Sequence, residues 1–366
     1  MRGVCHDEQS RLFAAAGHLV RAVVPLAWSP RRWLGGVAIP DEERDGAIVV
    51  AHPTYPRVPG FLRGIGHALE RRFFSSAAAT ALSVEGAPDV VLAHSASLPG
   101  GLLGRIGRAA FVVSLYDHEL YDVAPASAIV RAAIIRTLRN ADCAVYLSED
   151  LRRHALALAG PHRNVIIPLG IETLAAPAAA APRNFTICSV TRLIARKRVD
   201  SLIRVFARLA AERPDARLVI VGDGPERAML EQLVGALGIA GRVELTGALD
   251  ARAAQEWMSR SSVMALPSVR ESLGAVYLEA MSLGVPSLGT RGEGIEEHID
   301  HGVSGILVPP GDDEALLAEL RALAADPDRA RRIGDAGRHR FLKGPFSWRA
   351  NAGAFLALFE DLVKGR

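Results

Sequence analysis

Short apolar runs rich in Val and Ile alternate with stretches of helical period along the whole chain. In the first half, Val20–Val24, Ala47–Ala51, Val90–Ala93, Phe111–Leu115, Cys143–Leu147 and Val165–Pro168 read as strands. In the second half the strands are Thr186–Val190, Arg217–Val221, Val243–Thr246, Val263–Pro267, Pro286–Gly289 and Gly305–Val308. A strand with one wet face alternates apolar and polar residues. These runs are short and mainly apolar, the mark of parallel strands covered by helices on both faces. The alternation predicts an α/β protein. It lapses at LAAPAAAAPRN, Leu174 to Asn184, where Ala and Pro support neither period. That stretch predicts a linker over 175–184, between a domain at 1–174 and a second at 185–345. The closing segment FSWRANAGAFLALFEDLVKG predicts an amphipathic helix within 346–366.

Composition narrows the class. A chain of 366 residues is long enough for two domains. Its net charge of +3 gives no bulk electrostatic case for nucleic-acid binding. No run of about 18 uninterrupted apolar residues is present, so no membrane span is expected. The first residues, MRGVCHDEQS, carry acid where a signal peptide needs an apolar core. Cys5, Cys143 and Cys188 are scattered, and the last two lie in strands. They read as reduced core residues of a cytoplasmic protein, not as metal ligands or disulfides. Of 43 Lys and Arg residues only Lys197, Lys343 and Lys364 are lysine. Lys197 alone of the three falls within a motif.

The most informative segment runs from Ser268 to Pro286, SVRESLGAVYLEAMSLGVP. Glu271 and Glu279 stand on either side of seven residues. Ser272 is a good N-cap, which predicts a helix from Leu273 through Leu283 ending at Gly284. Glu271 then lies just outside the helix and Glu279 about two turns inside it. Free N–H groups at a helix start suit anionic or hydroxyl-rich ligands. Alone, such a glutamate pair reads as a solvated helix face. Its neighbours add weight. Ligands of open parallel sheets bind beyond the carboxyl ends of the strands. Arg192 and Lys197, Gly222-Asp223-Gly224-Pro225, Gly247 and Glu271 each follow the end of a strand, so they converge on one edge of the second domain.

The order of these motifs resembles that of the family-4 retaining glycosyltransferases. SVTRLIARKRVD, LVIVGDGPE, VELTGAL, the glutamate segment and GTRGEGIEEHIDHGVSGILVPPGD follow in turn from Phe185 to about Phe346. The resemblance implies two Rossmann-like domains facing a cleft, the glycosyltransferase B architecture, with the terminal helix packing back toward the first domain. It implies transfer of a sugar from a UDP- or GDP-sugar to a glycan or lipid-linked acceptor, with retention of anomeric configuration and no required metal. Arg192 and Lys197 are the implied holders of the diphosphate, and Glu271 with the backbone of Ser272, Leu273 and Gly274 holds the sugar. Glu279 accepts from the ribose hydroxyls, Gly222 lies by the donor, and Gly247 to Leu249 lie near the base. Leu273 stands where the family usually has Phe.

The first half departs further. Arg2-Gly3-Val4 resembles the family's glycine-bearing donor loop, with Gly3 at the donor, yet no strand precedes it. The first domain is therefore expected to lack its first strand, leaving a gap in the sheet. At SLYDHELYD, Tyr116 takes the place of the family's sugar-facing His, and His118 stands in as the catalytic candidate, with Asp117 and Glu119 to favour its charge. His94 is placed on the acceptor side. HPTYPRVPG and PLAWSP resemble members that build bacterial surface polysaccharides. In FLRGIGHALERRFF, Phe61, Leu62, Ile65, Ala68, Leu69 and Phe73 form one stripe flanked by Arg63, Arg71 and Arg72. The stripe fits a core-facing helix or a peripheral contact with the inner face of a membrane. Two other classes stay open: a nucleotide-sugar binder without catalysis, and an NAD-dependent oxidoreductase. For the second, VGDGPER has two glycines of a dinucleotide fingerprint, but Arg227 occupies the third.

Overall fold

The computed structural model describes residues 4–24, 26–28, 42–56, 73, 76–82, 86–96, 107–116, 118–172 and 184–365. Gly3, most of the 61–73 stripe and most of the expected linker lie outside the described residues. The chain divides into two compact units, 1–170 with 348–366, and 171–347.

All twelve apolar runs form strands, with ends within two residues of those expected. In the second unit they are β10 (Thr186–Val190), β11 (Arg217–Val221), β12 (Val243–Gly247), β13 (Val263–Ala265), β14 (Ser287–Thr290) and β15 (Ile306–Val308). All pair in parallel, in the order β12-β11-β10-β13-β14-β15. Counted within the unit, that is 3-2-1-4-5-6, the doubly wound order. The strand order reverses between β10 and β13. At such a switch point the connections leave in opposite directions, and doubly wound sheets place their ligand crevice at the carboxyl ends there.

Helices bury the sheet. In α4 (Val199–Glu212), Val199, Leu202, Ile203, Phe206 and Leu209 repeat at helical spacing and are all buried. Phe206 is fully buried, a contribution of about 1.5–3 kcal/mol. The helix stops before Pro214, because the residue preceding a proline is disfavoured in the helical region. Asp312 caps α8 (Asp313–Ala325), accepting from Ala315 N at 2.9 Å. Asp326 caps α9 (Pro327–Lys343), with Pro327 at the first turn, where its missing N–H costs nothing. Burial pushes the Cys143 thiol up to about 11 and Cys188 up to about 12, so both stay protonated and inert.

The first unit holds β1 (Val20–Val23), β4 (Ile48–Ala51), β6 (Val90–Ala93), β7 (Ala110–Ser114), β8 (Cys143–Tyr146) and β9 (Asn164–Ile166). Among the described residues they fall into separate sheets, β1-β4-β3 and β6-β7-β8-β9. The sequence pattern missed β2 (Leu26–Trp28), β3 (Glu42–Asp45) and β5 (Thr54–Pro56). Strand β3 is charged and mostly exposed, and it pairs antiparallel with β4 across a turn at Gly46, where φ is +60°. Its Asp-Gly step is a hairpin signal that apolar runs do not register.

The final helix, α10 (Trp348–Lys364), belongs to the first unit. Phe355 and Phe359 pack edge-on against Phe13 of α1 (Val4–Ala15), at centroid distances of 6.4 and 5.6 Å. Beside them Gln9 donates to the Asn351 carboxamide oxygen at 2.9 Å, and Asn351 donates to Pro168 O at 2.7 Å. Among the described residues no helix is long and apolar enough to cross a membrane.

Candidate functional site

Two loops meet at the switch point. One follows β10 and carries Arg192 and Lys197; the other follows β13 and carries Glu271. Hydrogen bonds tie them: Val269 N donates to Arg196 O at 2.9 Å, and Arg196 Nη1 donates to Arg270 O at 2.8 Å. Between them Lys197 Nζ forms a close ion pair with Glu271, and the two side chains are only 12% and 6% exposed. Among the described residues the non-glycine positions with positive φ are Arg198 (52°) and Arg270 (57°). Each adjoins one member of the pair. Left-handed backbone at such residues costs about 1–3 kcal/mol and persists only where the surroundings enforce it.

The turn after Glu271 corrects one expectation. Ser272 does not cap a helix beginning at Leu273. Helix α7 spans Ala275–Ser282, and its N-cap is Gly274 in the left-handed conformation, φ +66°. The ring of Tyr277 leaves no room for a side chain there. A Cβ at Gly274 would meet it at 2.4 Å. Tyr277 is fully buried, donates to Leu266 O at 2.5 Å and lies 3.1 Å from Ser268 Oγ. Burial holds its phenol well above the ordinary tyrosine range, so it remains a neutral prop. Ser272, Leu273 and Gly274 therefore form a buried turn ahead of the helix. Gly284, φ +74°, follows its last turn, the usual place for a left-handed glycine.

A third segment closes on this turn. Gly294 N donates to Glu271 O at 2.9 Å, and Glu271 N donates to Glu293 Oε2 at 2.6 Å. A Cβ on Gly294 would lie 1.7 Å from Ser272 O. Sequence reasoning missed Glu293. Its only signal was the Gly-Glu-Gly step after β14.

Glu279 lies within α7. Among the described residues its side chain has no hydrogen bond or ion pair. Burial raises its pKa above the ordinary glutamate value. A half-buried carboxylate can accept from hydroxyl donors.

Arg192 is exposed, and among the described residues its guanidinium has no ion-pair partner. Gly222, φ +139°, lets the loop after β11 approach that after β10, since a Cβ there would lie 1.8 Å from Thr191 O. Gly222 N donates to Gly247 O at 2.9 Å, bringing in the loop after β12, and Leu249 beyond it is 38% exposed. The loops with Arg192, Lys197, Gly222, Gly247, Leu249 and Glu271 thus leave the same ends of adjacent strands. VGDGPER follows the second strand of its unit, whereas a dinucleotide fingerprint follows the first.

The remaining candidates lie in the first unit. His118 is exposed and opens a single π-helical turn, Glu119–Val123. Glu119 is fully buried. Its carboxylate is taken up by Ser95 Oγ at 2.7 Å, Ala96 N at 2.9 Å and Tyr116 N at 3.4 Å, which joins the loops after β6 and β7. It acts as a brace between loops. His94 Nδ1 stands 3.4 Å from the Tyr116 hydroxyl. Gly3 and Asp117 lie outside the described residues.

Residues 171–340 match the family of glycosyl transferases group 1, and residues 3–170 match the glycosyl transferase 4-like domain. A GDP-mannose-dependent alpha-(1-6)-phosphatidylinositol monomannoside mannosyltransferase of Mycolicibacterium smegmatis is 32% identical, over 98% of this chain and 94% of that protein. The chain belongs to the group 1, family-4 type of glycosyltransferases. The lipopolysaccharide core biosynthesis glycosyltransferase LpsE of Rhizobium meliloti is 34% identical over 48% of this glycosyltransferase and 49% of its own length. Its fold is that of sucrose-phosphate synthase from Thermosynechococcus elongatus, with a TM-score of 0.79 at 22% identity, covering 98% and 92% of the two chains. The Anabaena protein Alr3699/HepE in complex with UDP-glucose gives a TM-score of 0.75 at 19% identity, covering 99% and 97%. These neighbours establish the glycosyltransferase B architecture of two Rossmann-like domains.

Proposed function

We propose that this glycosyltransferase moves a sugar from a nucleoside-diphosphate sugar to a glycan or lipid-linked acceptor, with retention of anomeric configuration. The observation that carries the reading is the buried Lys197–Glu271 pair at the switch point of the second sheet. A departing nucleoside diphosphate develops negative charge, and a fixed cation aimed at that charge contributes roughly 3–4 kcal/mol. Lys197 and Arg192 take this role. Once the diphosphate draws Lys197 away, Glu271 is released to accept from sugar hydroxyls. The backbone N–H groups of Ser272 to Gly274 stand beside it, and Glu279 receives the ribose. Gly222, with Gly247 to Leu249, flanks the nucleotide. The two cations make a metal dispensable. Relatives named for phosphatidylinositol monomannoside and for lipopolysaccharide core biosynthesis support a bacterial surface glycan or glycolipid as product.

The test is a thermal-shift screen against UDP, GDP and their hexose conjugates, followed by transfer assays with and without EDTA. Stabilisation by one nucleotide sugar with transfer unaffected by EDTA is expected, and the anomeric configuration of the product is read by NMR. Binding without transfer or hydrolysis would instead mark a non-catalytic binder.

Glu279→Ala should weaken donor binding, since hydrogen bonds to a charged group contribute about 1.5–3 kcal/mol. A pH profile separates this role from simple packing. Because burial raises the folded pKa of Glu279, the carboxyl gains a proton as pH falls through that value, and donor affinity should fall with it. The group's effect on folding has the opposite sign: its contribution is fully present below the unfolded pKa and is lost as pH rises through the folded one. Calorimetric Kd values from neutral pH downward should bend in the wild type and stay flat in Glu279→Gln. Parallel curves would remove Glu279 from the ribose site.

A further inference from the structure

We propose that Glu293 is a positioning residue that holds Glu271 in register for the donor sugar, by gripping the backbone N–H of Glu271 from the neighbouring loop. The inference rests on the nucleotide-sugar reading of the site. Glu293 precedes the short 3₁₀ turn Gly294–Glu297, where an acidic side chain would ordinarily cap its own turn. It makes no such cap. Its Oε2 instead accepts from Glu271 N at 2.6 Å, across 22 residues of sequence. Bracing of the loop itself falls to Glu296, whose Oε2 accepts from Gly292 N at 2.7 Å.

The contact works as one jaw of a clamp. Gly294 N donates to Glu271 O at 2.9 Å, so both backbone groups of Glu271 are held by consecutive residues of one loop. That fixes the peptide planes on both sides of the Glu271 Cα and hence the direction of its side chain. The grip matters most after the donor arrives. In the free protein Lys197 also restrains the Glu271 carboxylate. When the diphosphate takes Lys197, that restraint goes, and Arg270 next door sits in a left-handed conformation from which the backbone tends to relax. Glu293 then keeps the turn in place. With its N–H taken by a carboxylate, Glu271 meets the sugar through its side chain alone.

The test uses the full chain with Glu293→Gln, which keeps an acceptor oxygen, and Glu293→Ala, which removes it. One arm follows exchange of the Glu271 amide without ligand. A tenfold or greater acceleration is expected in Glu293→Ala, with near wild-type exchange in Glu293→Gln. Unchanged exchange in Glu293→Ala overturns the proposal. The other arm compares UDP with UDP-glucose and GDP with GDP-mannose by calorimetry. Glu293→Ala should bind the bare nucleotide within twofold of wild type and lose at least tenfold for the matching nucleotide sugar, with Glu293→Gln restoring most of it. An equal loss for nucleotide and nucleotide sugar also overturns it, because a general disruption of the site would do the same. If the wild type binds none of the four, the nucleotide-sugar reading fails, and the exchange arm still decides whether Glu293 holds Glu271.

Discussion

Gly294→Ala should reduce transfer by about a hundredfold or more while the chain remains folded. The added methyl would lie 1.7 Å from Ser272 O and 3.2 Å from Glu271 O, and both obstacles are backbone. No side chain can swing aside, so the turn at 271–274 or the loop at 292–297 has to move. Crowding of this kind costs typically about 1–3 kcal/mol, which a domain of this size survives. The larger effect is on geometry. The displaced atoms carry Glu271 and the free N–H groups beside it, and a displacement of about 1 Å at a reacting centre can cost a hundredfold in rate. Gly235→Ala is the control. It lies in the helix Arg227–Ala236 with nothing within 4 Å of the added Cβ, so it should leave turnover unchanged and favour the fold by up to about 1 kcal/mol. Turnover and denaturant midpoints of the two variants decide the matter. Wild-type turnover in Gly294→Ala would mean that the turn does not touch the substrate.

Lys197→Met should be nearly inactive and also less stable. Removing one partner of a buried pair leaves the other charge uncompensated, at about 3–5 kcal/mol. Both side chains are shielded enough for that figure to apply. The double variant Lys197→Met with Glu271→Gln removes the stranded charge, so it should regain most of the stability and none of the activity. This split separates a chemical role from a structural one, since a purely structural pair would recover both. Lys197→Arg adds a finer test. It preserves charge but replaces a compact ammonium with a broad planar fork, and Arg192 already supplies one guanidinium. Transfer should fall in Lys197→Arg and not in Lys343→Arg. Equal turnover in the two would pass the diphosphate to Arg192.

Much of the fold was legible because burial leaves a plain trace. Strands β4, β8, β13 and β15 are buried along their whole length, and each reads as an unbroken apolar run. Strand β3, charged and exposed, left no such trace and was missed. At the site, Lys197, Glu271 and Gly222 were legible from their place after strand ends. The helix start at Ser272 was misread: a local N-cap rule points there, but the helix begins two residues later than expected, after a left-handed Gly274 that the Tyr277 ring keeps free of a side chain. Glu293 was hidden for a related reason. Its partner lies 22 positions away, and nothing in the local sequence shows that its side chain turns from its own helix to a neighbouring loop.

The return of α10 to the first unit makes order of synthesis a physical variable. Residues 1–170 leave the ribosome before 171–347, yet Phe355, Phe359 and Asn351, which complete their core, leave only after them. At about 5–20 residues per second, the intervening 171–347 take on the order of ten to thirty-five seconds to make. For that interval Phe13, Gln9 and the β7 face they cover have no final partner. The second unit, contiguous in sequence, is free to fold during the wait. The nascent first unit is thus the part that chaperones meet unfinished, and ribosome pausing upstream of Trp348 would lengthen its exposure more than pausing anywhere after it.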